Sequence, residues 1–479
     1  MKKRALIIVF LLVALIAFYF IWDGKGEKKP TTLYEHIPNT NSIIGTFDYE
    51  GLARIVQTEM FRNPMELLRM RNSSWGKSFL GNLTKTLLKG GVDKQQQFIF
   101  SINQDTTQVS FLMLPVQDDK EIIAALQEDL SNYLQVTVQD GVAKAYNDKD
   151  RIGLVLNSDL LIVAKGHQKQ VDQLWEQITT QQGCYASDDE YMMSLINNTH
   201  HLSVWIPENT LTTPFNEGNN NTMVYVDFLD GQLNIASRVV VDATYFTNTS
   251  SSNTYACDTC ALTFHLNMKN TSDLQQFFGD SLATKVDSIC QLFHIDYTQI
   301  TNSFNGKLDA FIVGKEIEQN TIVTYEFDGD FNKVKREEVI TTPMISFLLS
   351  YGVKKEGLYA DLKRQGVVKR VNGKELFTNP IGKCYVYNND QQLVFTTKEE
   401  LASKKREKEV VDYGLVLNAD VAKLIPLFNV KEPAPFNFAK SVKCEGKQQD
   451  SLIHFNVEVI TGNPKRNALF DQFDSYSPN

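Results

Sequence analysis

The residues best suited to chemistry lie in the second half of the chain. Cys257 and Cys260 stand in YACDTCALTF, and Cys290 and His294 follow in VDSICQLFHI. The combined series, C-x2-C and then C-x3-H, is an acceptable ligand set for tetrahedral zinc, which takes thiolate and imidazole donors. A strand leaving Cys260 runs out ~25 Å, and a helix over the following residues returns a similar distance. Geometry therefore allows the set to close. The same residues fit other readings. A disulfide among Cys257, Cys260 and Cys290 is one, although two cysteines three apart on an extended strand sit ~10 Å from each other and would need a turn. A thioredoxin-type pair is another, but it wants the N-terminus of a helix directly behind it to lower the thiol pKa. Here CDTC opens a strand. Inert thiols are the last: Cys290 shares an apolar stripe with Val286, Ile289 and Phe293. The first half holds only Cys184, so any such site belongs to the second half alone.

Other clusters say less. FDGDFNK places Asp328, Asp330 and Asn332 like the first ligands of a calcium loop. The loop lacks glycine at position six (Lys333) and glutamate at position twelve (Val339), which reads as a hairpin turn instead. His200-His201 precede a strand with no acidic or thiol partner at ligand spacing. Asp188-Asp189-Glu190 reads as a helix opening, and the mixed-sign run Lys404 to Glu409 as a solvated helix end. HExxH, GxSxG and the P-loop are all absent from the sequence.

These residues must be held by a chain of 479 residues, long enough for two to four domains at ~150 residues each. Its 42% hydrophobic and 22% charged residues are those of a folded protein, and a net charge of −9 with no basic stripe speaks against nucleic acid. Lys2-Lys3-Arg4 precede an unbroken apolar run from Ala5 to Trp22, which as a helix spans ~27 Å, close to a bilayer core. The run exceeds the apolar region of a cleaved signal peptide, and aromatic residues crowd its far end. The expectation is a transmembrane signal anchor over residues 1–22 and a tether over 23–33. The charged tip stays inside and the bulk of the chain lies in the periplasm of a bacterial inner membrane.

After the tether, strand and helix signals run through the text twice. Ser42 to Val56 is answered by Thr259 to Phe278, and the paired strands of Phe98 to Leu114 by Asp309 to Phe327. Arg151 to Lys165, turning at Asn157-Ser158-Asp159, is answered by Gly382 to Thr397, turning at Asn388-Asn389-Asp390. His201 to Leu211 is answered by Tyr413 to Leu424, and Thr222 to Val241, with its Asp230-Gly231 turn, by Val442 to Ile460. Amphipathic helices are expected over Asp119 to Leu134, opened by Asp118 or Asp119, and over His167 to Ile178. The fold class is therefore α+β: an N-terminal transmembrane helix and two tandem repeats, 34–241 and 257–479, joined by a polar linker at 242–256. Each repeat is a mostly antiparallel sheet with helices packed on one face.

With the anchor, the opening Ile37-Pro38-Asn39-Thr40-Asn41-Ser42 and a strand ending near Asp48, the chain resembles a family of membrane-anchored or lipidated bacterial envelope proteins built from two such repeats. The resemblance implies an envelope location and two related α+β halves, and no activity. The lipid-acceptor cysteine of lipidated members has no counterpart here. A fold doubled without a doubled polar constellation points to a non-enzymatic binding or scaffolding protein with a protein partner in the envelope. Residues 5–22 hold it to the membrane, and it needs no cofactor. The alternatives are a zinc-dependent or redox module on Cys257, Cys260, Cys290 and His294, and a carrier of a small apolar ligand.

Overall fold

The computed structural model describes residues 33–38, 43–62, 79–87, 89–103, 109–181, 183–185, 189–207, 221–241, 244–247, 251–252, 259–269, 295–327, 333–354, 357–377, 384–389, 391–403, 410–411, 413–427 and 438–470, with isolated helical residues between 284 and 291. The expected anchor and tether precede residue 33 and lie outside the described residues. Among those described, no helix is long and apolar enough to cross a membrane. The described residues form two compact units, one within Met1–Thr212, Glu217–Val240 and Asn463–Phe473, the other within Val241–Gly462. Both are α+β with antiparallel pairing and few helices.

The strands of the first unit are β1 (Ile43–Phe47), β2 (Phe98–Ile102), β3 (Ser110–Pro115), β4 (Thr137–Gln139), β5 (Val142–Asn147), β6 (Ile152–Leu156), β7 (Leu160–Lys165), β8 (Leu202–Ile206), β9 (Thr222–Leu229) and β10 (Gln232–Val240). They pair in the order β4-β5-β6-β7-β3-β2-β1-β8-β9-β10. Helices α1 (Tyr49–Arg62) and α2 (Phe79–Leu87) join β1 to β2, α3 (Asp119–Asp129) joins β3 to β4, and α4 (Gln168–Thr180) and α5 (Glu190–Ile196) join β7 to β8. Side chains cap the helix starts as expected: Asp118 accepts from the Glu121 N–H, and Asp189 from those of Tyr191 and Met192.

The second unit contains β11 (Leu262–Asn267), β12 (Phe304–Phe327), β13 (Lys333–Val353), β14 (Val368–Val371), β15 (Lys374–Phe377), β16 (Cys384–Asn389), β17 (Gln392–Thr396), β18 (Leu415–Asp420), β19 (Ala439–Gln449) and β20 (Leu452–Thr461). Their order is β14-β15-β16-β17-β13-β12-β11-β18-β19-β20. Adding ten to each label of the first order gives the second. Helix α6 (Tyr297–Ser303) precedes β12, α7 (Gly357–Arg364) joins β13 to β14, and α8 (Glu399–Ser403) joins β17 to β18.

Three expectations change. Helices on one face only would leave alternate residues of each strand in water, yet every residue of β1, β2 and β6 is buried, so the sheet of the first unit is covered on both faces. One cover is α4 and α5. Ile44, Ile99, Met113, Val155 and Ile162 pack there with Trp175, Ile178 and Leu195, and the Thr46 hydroxyl donates to the Leu195 carbonyl at 3.0 Å. The opposite parity of β1 and β2 carries Phe47 and Phe98, whose rings meet edge to face at 5.2 Å, with Tyr49 of α1 stacked on Phe98.

The domain limits also shift. Asn463–Phe473 was expected in the second repeat, but its described part packs in the first unit. There Asn467 donates to the Phe228 carbonyl at 3.0 Å, the Gly231 N–H donates to the Arg466 carbonyl, and Phe470 is buried. Within the expected linker, Tyr245 and Phe246 are buried in the second unit, and both backbone N–H groups donate to Gln448 Oε1. Two large aromatic side chains outweigh the polar residues around them.

Last, Asp309 to Phe327 is not a hairpin. It is one continuous strand whose partner begins only at Lys333.

Candidate functional site

Of the four residues expected to hold zinc, only Cys260 and Cys290 are among the described residues. Cys260 precedes β11, with Thr259 in a turn. Its sulfur is disulfide-bonded, while Cys184, Cys290, Cys384 and Cys444 are free thiols. Cys257 and His294 lie outside the described residues, as do Asp328 to Asn332 and Lys404 to Glu409. Cys290 is buried, and burial together with nearby Asp287 and Asp296 raises its pKa, the opposite of what a reactive thiolate requires. Among the described residues, no group of three or more His, Cys, Asp or Glu side chains is placed to hold a metal ion.

Among the described residues, histidine–aspartate contacts form in each unit, and sequence spacing hid them. In the first unit, Asp227 of β9 reaches the histidines before β8: His200 Nδ1 lies 2.7 Å from Asp227 Oδ2, and the His201 N–H donates to Asp227 Oδ1 at 3.2 Å. His201 Nδ1 lies 3.2 Å from both the Phe228 N–H and Asp227 Oδ1. His201 borders an open cleft of about 470 Å³ together with Asp48, Arg54, Thr58 and Asp230. Gly51 permits this approach, because a Cβ there would stand 2.3 Å from Asp48 Oδ2. The cleft suits a small charged ligand. Among its described lining residues Thr58 carries the one hydroxyl, which is given to the Arg54 carbonyl within α1.

In the second unit, His265 of β11 bonds Asp309 of β12 through Nδ1 and Oδ1 at 2.7 Å, and Ser350 of β13 stands opposite Asp309. Serine, aspartate and histidine thus share a row, but in the wrong order for acyl transfer. A nucleophile must touch the imidazole, whereas here the carboxylate lies between them. Ser350 Oγ is buried with no hydrogen-bond partner among the described residues.

The feature that separates the two units is a ribbon. In the first unit the β2–β3 connection is short, running from Ile102 to Ser110. In the second, β12 and β13 run on together from the Lys315–Ile345 pair to the Phe327–Lys333 pair. Over that length neither outer edge is paired among the described residues. β11 meets β12 only through Lys307–Ile312, and β17 meets β13 only through Leu348–Gly352. Period-two alternation places Ile317, Val323, Tyr325, Phe327 and Val339 on one face of the ribbon, with exposures from 41% to 70%. Ile322, Val334 and Ile340 are exposed on the other face. Lys333 lies over the Tyr325 ring at 4.3 Å, and Arg336 reaches both oxygens of Glu326 at 3.0 and 3.1 Å. The signal available in the sequence was the run TIVTYEF…KVKREEVITT, rich in β-branched residues and free of interior glycine and proline.

No family model matches this chain, and no curated protein does. Among solved structures, crystal form I of TP0453 is similar at a TM-score of 0.31 and 6% identity, covering 45% of this chain and 81% of that one. Crystal form IV of TP0453 gives a TM-score of 0.28 and 8% identity over the same shares. Scores at this level establish no common fold.

Proposed function

We propose that the chain is a non-enzymatic binding or scaffolding protein of the bacterial envelope. Residues 5–22 anchor it in the inner membrane, and two α+β repeats arisen by tandem duplication stand in the periplasm. The ribbon of the second repeat makes its contact with a protein partner.

The observation that carries this reading is the ribbon itself. A two-stranded ribbon is only marginally stable alone in water. Among the described residues this one has both edges unpaired and large apolar side chains exposed on both faces, features that natural sheets otherwise cover or blunt. Two further observations support the reading. The ten-strand order repeats from unit to unit with the ribbon as an addition to the second, which favours duplication followed by specialisation. The disulfide at Cys260 favours an oxidising compartment on the outer side of the membrane.

The test is photo-crosslinking in intact membranes, with the reactive residue placed at Val323 or Phe327 and a control at Val138, whose exposure lies between theirs. Protein adducts from the ribbon sites and none from the control are expected. Adducts at Val138 alone, or at none of the three, would defeat the proposal.

A further inference from the structure

We infer that the β13 edge of the ribbon, Lys333 to Thr341, pairs with the same edge of a second copy of this chain. The inference rests on the ribbon being a contact element, and it names the first occupant of that element.

The argument is one of register. Two identical antiparallel strands in one sheet are related by a two-fold axis normal to the sheet, so one residue must meet its own copy and every other pair must join residues of like parity. Few registers satisfy that rule, and the β13 sequence discriminates among them. With Glu337 on the axis, Arg336 stands opposite Glu338 of the second copy and Glu338 opposite its Arg336. Val334 likewise faces Ile340 twice. Lys335 faces Val339 and lies diagonal to Glu337 of the second copy, so the two glutamates at the axis are flanked by two lysines. Every register sets one residue against its own copy, Glu337 here, so the flanking pairs decide: moving the axis one residue back sets Val334 against Glu338, and one residue forward sets Glu337 against Val339 and Arg336 against Ile340. Only the Glu337 register pairs opposite charges and apolar side chains together.

The edge is free for this use. Residues 333–341 are all exposed, with Val334 at 47% and Val339 at 58%, and the side chains of Lys335, Arg336 and Glu337 more than half exposed. Pairing ends before Pro343, which has no N–H to give. The product is a four-stranded sheet, β12-β13 continued by its copy. That exceeds the three strands at which a sheet with an apolar face becomes stable on its own. The Val323, Tyr325, Phe327 and Val339 faces of both copies then lie on one side. The interface closes on itself and gives a dimer, not a filament. It leaves the β12 edge open for another protein.

The test uses the full-length chain in detergent, with assembly state read by sedimentation velocity across a concentration series. The wild type is expected to dimerise. Arg336→Glu and Glu338→Arg each set like charges opposite each other twice per dimer and are expected to raise the dimer dissociation constant roughly tenfold or more. The double variant R336E/E338R restores two opposite-charge pairs and is expected to return to within roughly threefold of wild type. All three changes are on exposed side chains, and circular dichroism confirms that each variant is folded. A wild type that stays monomeric throughout, or a double variant no better than the singles, would overturn the inference. Crosslinking from Val323 on β12 is scored separately, so a failed dimer and a failed partner contact give different results.

Discussion

His265 Nδ1 lies 2.7 Å from Asp309 Oδ1, and the first unit builds the same place on its sheet from Thr46 beside Ile99. Each of His265 and Thr46 is one residue before the end of its ladder with β18 or β8, and each pairs across to the strand that begins the β12–β13 or β2–β3 hairpin. The second unit has thus exchanged an apolar neighbour for a charge-assisted hydrogen bond. His265→Thr alone leaves Asp309 without its imidazole partner and is expected to cost about 1–3 kcal/mol in denaturant unfolding. Adding Asp309→Ile recreates the first unit's pair and should recover most of that loss. A double variant less stable than the single would show that the pair has a role Thr and Ile cannot fill.

The thiols carry a second prediction. In denaturant without reductant four thiols should titrate, and with reductant six, because Cys260 is held in a disulfide and Cys184, Cys290, Cys384 and Cys444 are free. In the native protein Cys384 should alkylate slowest. It is 4% exposed, and burial pushes its thiol up to about 12. A folded-state value above the ordinary 9.0 means this group's contribution to stability is complete below about pH 9 and is lost as the pH rises towards about 12. Cys384→Ala should flatten the fall in urea midpoint over that window. A wild type and variant that fall in parallel would refute the assignment.

At the acid end the sign reverses. The Lys89 ammonium, 2.5 Å from Asp129, and the Thr86 hydroxyl at 3.1 Å hold the Asp129 carboxyl below its ordinary range. A depressed value contributes stability above the unfolded carboxylate pKa and loses it as pH falls through the folded one. Lys89 is mostly exposed, so the tie between α2 and α3 is worth less than about 1 kcal/mol. Asp129→Asn should be slightly less stable than wild type at pH 7 and equal to it near pH 2. A difference that persists at pH 2 would assign the effect to packing.

Gly45 tests how tightly the centre of the first unit is packed. A Cβ there would stand 2.2 Å from Phe100 Cζ and 2.8 Å from the Ser203 carbonyl oxygen. The ring can swing, but the backbone oxygen of β8 cannot, since β1 and β8 are hydrogen-bonded at that point. Gly45→Ala should destabilise by about 1–3 kcal/mol. Gly314→Ala, at a β12 position with nothing within 4 Å, should change stability by less than about 0.5 kcal/mol. Equal effects at the two positions would contradict the packing described.

What the sequence revealed was local. Alternation and turn residues marked the β6–β7 hairpin at Asn157 to Asp159 and the β9–β10 hairpin at Asp230-Gly231. Asp118 announced α3. These signals act over a few residues, where turn chemistry and capping are decided. Asp227 meeting His200, Asp309 meeting His265, and Asn467 seated under Phe228 depend on which strands and segments adjoin, and no spacing in the chain records that. The ribbon was in plain view as a β-branched run. A strand of 24 residues lies far outside the usual length, and local alternation does not distinguish it from two shorter paired strands. CDTC left a disulfide open on condition of a turn, and the structure places Thr259 in a turn and Cys260 in a disulfide.

The strand order also governs when the molecule can finish. β1, the first strand of the first unit, lies between β2 and β8, so Ile44 waits for Trp205, about 160 residues further along the chain, before its second edge is closed. The second unit repeats the delay, with β11 held open until β18 arrives. Native contacts of such sequence separation place each unit among slow folders, and an apolar central strand with one bare edge is exposed to aggregation throughout that interval. Whatever assists this chain during its synthesis must guard β1 and β11 for longest.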